Sequence, residues 1–297
     1  MPHAAPPPRL PGSRPAHLGR SGFFDPAEPQ RPWAGEVELH RFLAGGDGDR
    51  ERFRVPRPIG YWDARRGPLV VPADPAAFAS DLTSVPAALS WLVPTTGRHL
   101  PAALLHDGLT AGADGPPSYL AAAPVDRVAA DRVFRSALRD LGVSRLRRGV
   151  MWAGVSVWSA LAGPLRRTWR GWLAACATAA VVLVLGTLST VDLFDVADVL
   201  PWMGARAWWV ELGTGALAAL VVPLLPAPLW GRRWRAGAVA GVAAAFLLHV
   251  TVAVVLVSAG FAAADALTDG RPRQALRWAA AGAGLAGAVV GTVALAR

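Results

Sequence analysis

"GWLAACATAAVVLVLGTLST", residues 171–190, is a run of twenty residues without a charged side chain. An α-helix rises about 1.5 Å per residue, so a helix of this length crosses the roughly 30 Å hydrocarbon core of a bilayer. Three further uncharged runs follow it, at residues 212–230, 236–264 and 278–296. The pattern predicts four transmembrane helices within residues 171–297, at about 171–190, 212–230, 238–262 and 278–296.

The charges on either side of the first run predict its orientation. Arginines precede it and aspartates follow it, namely Arg166, Arg167 and Arg170, then Asp192, Asp195 and Asp198. More arginines, within residues 232–235, lie between the second and third runs. Because positively charged loops stay in the cytoplasm, the pattern predicts a multi-pass protein of the inner, cytoplasmic membrane with both chain ends in the cytoplasm.

The overall composition agrees with a lipid bilayer as the main partner. Of the 297 residues, 53% are hydrophobic and 17% are charged, and the net charge of +9 comes from arginine without any lysine. A nucleic-acid-binding surface needs basic residues interleaved with aromatic residues on one face. No stretch has that pattern, so we expect no nucleic-acid partner. The single cysteine, Cys176, excludes a disulfide framework within the chain.

The amino-terminal half predicts a small α+β domain. Residues 1–34 are rich in proline and arginine and predict a disordered tail. Residues 36–165 carry strand patterns in "EVELHRF", residues 36–42, and "GPLVVP", residues 67–72, followed by about three to four helices. The predicted fold is therefore a small α+β domain of short strands and helices, followed by an all-α four-helix transmembrane region.

Three helical patterns follow the strands of this domain. The first begins with Thr83 or Ser84 as its cap, and Pro86 lies in its first turn. The second runs from residue 101 to about residue 107 and is predicted to stop at Gly108, because glycine commonly ends a helix. The third spans about residues 124–141 and has an apolar stripe at helical spacing.

Two further features lie near or within the membrane region. Residues 149–165 are uncharged, with arginines at both ends, which predicts a helix packed on the domain or lying at the membrane surface. His249 falls in the middle of the third predicted span. An ionisable group at that depth is either functional or a neutral histidine bonded to a neighbouring helix.

The candidate site of the domain centres on His106. In the third helix, Asp131 lies beside the apolar stripe that contains Phe134, and an acid in that position needs a partner. His106 is the nearest attractive candidate. In a catalytic role, His106 is a general base oriented by Asp131, while Asp107 and Asp81 bind a hard cation through carboxylate oxygens. In a structural role, His106 and Asp131 form a buried pair that ties two helices together.

Ser84 offers a different arrangement, as the nucleophile of a triad with His106 and Asp131. No nucleophile-elbow pattern surrounds Ser84. The Ser-x-Pro sequence is typical of a helix cap instead, which favours a structural role for this residue.

Three motifs in order carry a family resemblance: "VVPADPAAFASDLTSVP" (70–86), "AALLHDGL" (102–109) and "DRVAADRVFRSALRDLGV" (126–143). Over about residues 36–160 the chain resembles the bacterial and phage domain of unknown function numbered thirteen fifty-three. Ser84 and Pro86 of this chain match a turn motif of that family, and Phe134 matches the motif of its last helix. The resemblance implies the same small α+β fold.

The pair His106-Asp107, followed by a helix with Ala-Asp-x-x-Phe, is also similar to phospholipase A-two enzymes. This fainter likeness implies that His106 is the base for the attacking water, that Asp107 is a calcium ligand and that Asp131 orients the histidine. The chain departs from that pattern because Thr110 stands where a tyrosine is expected, and no glycine-rich calcium loop precedes the histidine.

The sequence thus leaves two classes of function open for a membrane protein with this domain. One is a calcium-dependent, phospholipase-like hydrolase that acts on lipid esters, with anionic lipid headgroups as partners because of the arginines beside the membrane. The other is a binding or assembly module with a protein partner, in which the polar motif only holds the helices together.

Overall fold

The computed structural model of the chain describes residues 9–44, 50–80, 82, 96–111, 118–162, 168–194, 196–204 and 206–295. The chain divides into two compact units. Over the described residues, the N-terminal unit extends to Ser156 and the C-terminal unit begins at Val157.

Six short strands lie within the described residues of the N-terminal unit. They are β1 (Gly22–Phe24), β2 (His40–Ala44), β3 (Arg50–Arg54), β4 (Ile59–Asp63), β5 (Gly67–Val71) and β6 (Leu120–Ala121). Four of them form an antiparallel sheet in the order β1-β4-β5-β6, and β2 pairs with β3 in a separate antiparallel hairpin. The strand pattern "GPLVVP" is thereby confirmed as β5, whereas "EVELHRF" becomes a strand only from His40 onward.

The predicted disordered tail does not extend over residues 22–24. There, β1 pairs with β4 so that Phe23 lies opposite Tyr61, and Phe23 and Phe24 are buried. Two adjacent phenylalanines bury enough apolar surface to order a short edge strand. The composition of the surrounding residues, which are rich in proline and arginine, predicts disorder instead. Residues 1–8 lie outside the described part of the chain.

The described residues of the N-terminal unit also form α1 (Leu100–Thr110), α2 (Arg127–Asp140) and the first part of α3 (Arg145–Ala162). The Asp126 side chain accepts a hydrogen bond from the Ala129 amide at 2.6 Å and caps the start of α2. Gly142, with a φ of 72°, follows the end of α2. The periodic pattern at residues 124–141 is thus confirmed as a helix with slightly tighter bounds.

The prediction that Gly108 ends the second helical pattern is wrong, because α1 continues to Thr110. Gly108 is buried, and a Cβ atom built on it would lie 2.1 Å from Cγ1 of Val71 in β5. The glycine is therefore needed for close packing of a helix on the sheet, a requirement that exists only once the two elements meet.

The core of the N-terminal unit lies between the sheet and the helices. Its fully buried side chains include Tyr61 and Leu69 from the sheet, Leu105 from α1 and Phe134 from α2. Met151 of α3 belongs to the same core. Residues 149–165 were predicted either to pack on the domain or to lie at the membrane surface. At Met151, the helix packs on the domain.

The C-terminal unit is helical over its described residues, with α4 (Trp169–Leu193), α5 (Trp208–Val221), α6 (Trp234–Thr268) and α7 (Pro272–Leu295). Among the residues that the structure describes, two stretches are long and apolar enough to span a membrane, Trp169–Leu193 and Ala227–Thr268. The run predicted as one helix at residues 212–230 is different: α5 ends at Val221, and two 3₁₀ segments follow, Val222–Leu224 and Ala227–Arg233. Three prolines interrupt the α-helical hydrogen bonds in that stretch: Pro223, Pro226 and Pro228.

Candidate functional site

The geometry of α1 and α2 brings His106 and Asp131 together. Eight of the eleven residues of α1 are buried, so this helix is apolar around most of its circumference. His106 lies on it beside α2, and its Nε2 atom is 3.0 Å from Oδ1 of Asp131. The two residues are 7% and 3% exposed, so both side chains are largely buried.

The chemistry of this pair determines which nitrogen of His106 carries the proton. A carboxylate oxygen only accepts hydrogen bonds, so the Nε2–H of His106 donates to Asp131. In the neutral ring, Nδ1 then carries the lone pair. Among the residues that the structure describes, none forms a hydrogen bond to Nδ1. The ring of Phe134 packs against the imidazole with 5.4 Å between centroids and limits its rotation.

Asp107 has a separate partner on the loop that follows β5. The Ser80 hydroxyl donates to Oδ2 of Asp107 at 2.6 Å and accepts a hydrogen bond from the Leu82 amide at 2.8 Å. Ser80 is itself held by two backbone hydrogen bonds with Phe53, each 2.9 Å long. Leu82 has a φ of 65°, a left-handed conformation that is costly for a branched residue. The loop at Asp107 is thus fixed at several points.

Ser80 is a site residue that the sequence analysis missed. The sequence gives little indication of this role. A serine whose hydroxyl accepts a hydrogen bond from the amide two residues later is common in turns and does not by itself mark a site. Three residues that the sequence analysis singled out, Asp81, Ser84 and Pro86, lie outside the described residues.

The described residues do not fit the calcium site that the phospholipase likeness implies. In the part of the chain that the structure describes, no three His, Cys, Asp or Glu side chains are grouped so as to hold a metal ion. Oδ2 of Asp107 is already engaged by Ser80, whereas calcium takes six to eight oxygen ligands.

A second polar cluster fixes α2 against the sheet. The Tyr61 hydroxyl donates to Oδ2 of Asp140 at 2.8 Å, and the Ser21 hydroxyl donates to the same oxygen at 2.6 Å. Burial raises the pKa of the Tyr61 phenol well above its ordinary value, and the negative charge of Asp140 raises it further. The hydrogen bond to Asp140 likewise raises the pKa of Arg139. This cluster holds the helix that carries Asp131.

His249 lies in the C-terminal unit and contacts a neighbouring helix. Its Nε2 atom is 2.7 Å from the hydroxyl oxygen of Thr190 in α4. Of the two roles considered for this histidine, the contact agrees with a neutral side chain that is hydrogen-bonded to a neighbouring helix.

Taken together, the N-terminal unit is an antiparallel sheet covered by helices, with a buried His-Asp pair between two of them. Residues 53–155 of this unit match a family model described as "Protein of unknown function (DUF1353)", so this region is similar to that family. No curated protein and no solved structure matches the chain.

Proposed function

We propose that the chain is a membrane-associated protein whose N-terminal domain hydrolyses esters, with His106 as the general base and Asp131 as its positioning residue. The observation that carries this proposal is the 3.0 Å contact between Nε2 of His106 and the Asp131 carboxylate, which leaves Nδ1 as the basic nitrogen.

The proposed reaction follows from that arrangement. Nδ1 of His106 removes a proton from a water molecule as the water oxygen bonds to the ester carbonyl carbon. The Asp131 carboxylate stabilises the imidazolium that forms. When the bond to the alcohol oxygen breaks, the imidazolium returns its proton to that oxygen, so a carboxylic acid and an alcohol leave and His106 is neutral again.

The apolar helices support a membrane location for this activity. Trp169–Leu193 and Ala227–Thr268 have the length and hydropathy of membrane spans. We propose a multi-pass protein of the inner membrane with a cytoplasmic N-terminal domain, because arginines precede α4 and aspartates follow it. The substrate class is then a lipid ester, and anionic headgroups are attracted by the arginines beside the membrane.

A second candidate is a binding or assembly module in which the same pair is structural. The burial of both side chains favours it, since a buried His-Asp pair between two helices stabilises their packing whether or not substrate reaches Nδ1. The two candidates differ in what happens when His106 is changed without unfolding the domain.

The deciding experiment uses the full chain in lipid nanodiscs and measures acyl release from phosphatidylglycerol vesicles together with thermal unfolding. His106→Gln is compared with His40→Gln, which changes an exposed histidine of β2. The hydrolase proposal expects release by the wild type and by His40→Gln, with a loss of about 100-fold or more in a folded His106→Gln.

Asp131→Asn separates a positioning role from a purely structural one. In a hydrolase, this change lowers the rate and alters the pH profile of acyl release, because the amide no longer stabilises the imidazolium. If the folded wild type releases no fatty acid in the presence of EDTA or of calcium, and His106→Gln only melts earlier, the hydrolase proposal is wrong and the assembly module stands.

A further inference from the structure

A cavity of about 300 Å³ lies within the C-terminal unit, between α4, α5 and α6. Its wall is mostly apolar, with Leu185 from α4, Leu212 from α5 and Phe246 from α6 among the lining residues. This volume is at the lower end of the range found for small-molecule sites. The cavity therefore fits a compact ligand with a substantial apolar surface.

One wall of the cavity carries a buried carboxylate. Glu211, in the first turn of α5, is only 4% exposed, and its Oε1 atom accepts a hydrogen bond from the Arg206 amide at 3.1 Å. Among the described residues, no other group bonds to this carboxylate. A buried negative charge with a single neutral donor is costly, so the carboxylate favours a second donor or a cation.

The other ionisable residue of the cavity wall is His249 of α6, and its hydrogen-bonding roles follow from those of Thr190. The Thr190 hydroxyl donates its only proton to the Gly186 carbonyl at 2.6 Å. Thr190 Oγ1 must therefore accept from the Nε2–H of His249, 2.7 Å away. Nδ1 of the neutral His249 ring is consequently an acceptor, and the residue lines the same cavity as Glu211.

The cavity wall thus combines one negative charge with a neutral nitrogen acceptor. No arginine lines the cavity within the described part of the chain, and the sequence contains no lysine. The charge of Glu211 is therefore not neutralised by a cationic side chain of the wall. A ligand that brings a positive charge and N–H donors complements both polar groups.

We propose that this cavity binds a compact hydrophobic amine in its ammonium form. The ammonium group donates hydrogen bonds to the Glu211 carboxylate and to Nδ1 of His249, and the apolar body contacts the side chains of α4, α5 and α6. The site is independent of the hydrolase proposed for the N-terminal domain, so the two proposals stand or fall separately.

The test uses the full chain in nanodiscs of uncharged lipid, with calorimetric titration against empty nanodiscs as the blank. The probes share one ring and differ in charge: cyclohexylammonium, cyclohexanol and cyclohexanecarboxylate. We expect saturable binding of cyclohexylammonium and at least about tenfold weaker binding of the other two, since a charge-assisted hydrogen bond contributes on that order.

Two variants test the assignment of the site. Glu211→Gln keeps an acceptor for the Arg206 amide but removes the charge, and we expect it to weaken cyclohexylammonium binding by about tenfold or more. Asp198→Asn removes a charge from an exposed aspartate of the same unit and should leave binding unchanged.

Ala245→Leu provides a test that leaves the carboxylate intact. The larger side chain fills part of the cavity from α6 and should abolish binding while Glu211 remains in place. The proposal is overturned if cyclohexylammonium does not bind saturably to the folded wild type, if the anion binds equally well, or if a folded Glu211→Gln or Ala245→Leu variant binds it like the wild type.

Discussion

Replacing Gly108 with alanine tests how closely α1 packs on the sheet. The added methyl group would lie 2.1 Å from Cγ1 and 3.0 Å from Cγ2 of Val71, well inside van der Waals contact. Val71 cannot easily move away, because it is buried in β5 and a β-branched side chain has few rotamers there.

Two opposing effects set the magnitude of this change. Alanine is favoured over glycine within a helix by about 1 kcal/mol, which stabilises the variant. Overpacking a rigid core costs about 1–3 kcal/mol, and the short distance to a stiff neighbour places this case near the upper end. We therefore expect Gly108→Ala to lower the free energy of unfolding by about 2 kcal/mol, which corresponds to about 4–8 °C in Tm for a unit of this size.

The assay is thermal and urea unfolding of the full chain, with Gly154→Ala as the matched control. Gly154 is an exposed glycine within α3 that has no atom within 4 Å of an added Cβ. There, only the helix preference acts, and the variant should gain about 0.5–1 kcal/mol. If Gly108→Ala is as stable as the wild type, or gains stability like Gly154→Ala, α1 does not pack on β5 as described.

A double variant tests whether contact with Val71 causes the destabilisation by Gly108→Ala. Val71→Ala removes the two methyl groups that the new Cβ would meet, so Gly108→Ala should be much less destabilising in the Val71→Ala background than in the wild type. Equal effects of Gly108→Ala in both backgrounds would contradict the contact.

Three other predictions concern polar contacts of the two units. The phenol of Tyr61 has a raised pKa in the folded protein, so above about pH 10, where an unfolded tyrosine ionises, the folded state binds more protons and stability should fall as the pH rises. Tyr61→Phe should flatten this slope in unfolding measurements between pH 8 and pH 11, and an unchanged slope would show that another group is responsible. Asp126→Ala should cost about 1 kcal/mol in urea unfolding, because the Ala129 amide loses its cap, and no loss would contradict the capping bond. Asp192→Asn should cost about 1–3 kcal/mol in thermal unfolding of the C-terminal unit, since the carboxylate accepts two backbone amides, and the exposed Asp198→Asn should be neutral by comparison.

The sequence predicted the helices and strands whose formation depends on signals within their own segment. The α2 helix has an amphipathic period, an aspartate cap and a glycine after its end, and all three signals lie within the segment itself. Strand β5 likewise follows from a short aliphatic run bounded by glycine and proline. Neither prediction needed knowledge of what these elements pack against.

Elements that depend on distant partners could not be read from the sequence. The three residues of β1 form a strand because they pair with β4, and Gly108 reads as a helix end until β5 is placed beside it. The same limit applies to polar groups. Glu211 stands just before the uncharged run at residues 212–230, and only the structure shows that it lines the same cavity as His249.

In the candidate site, one contact could be predicted from the sequence and another could not. His106 and Asp131 could be paired from the sequence, because each was an ionisable group next to an apolar helical face. Ser80 could not be linked to Asp107, since the contact depends on how the loop after β5 is held by Phe53. The role of the pair in catalysis stays a prediction until the activity of His106→Gln is measured.

The hydrogen bond between Ser21 and Asp140 has a consequence for the order of folding during synthesis. It joins residues separated by 119 positions, so this bond cannot form until the end of α2 has been made, whereas β1 can pair with β4 earlier. The contacts between α6 and α7 connect adjacent helices, and such local pairs form faster than long-range ones. Until α2 is released from the ribosome, the Ser21 hydroxyl therefore lacks this bond, and one contact of the domain's early residues is among the last to form.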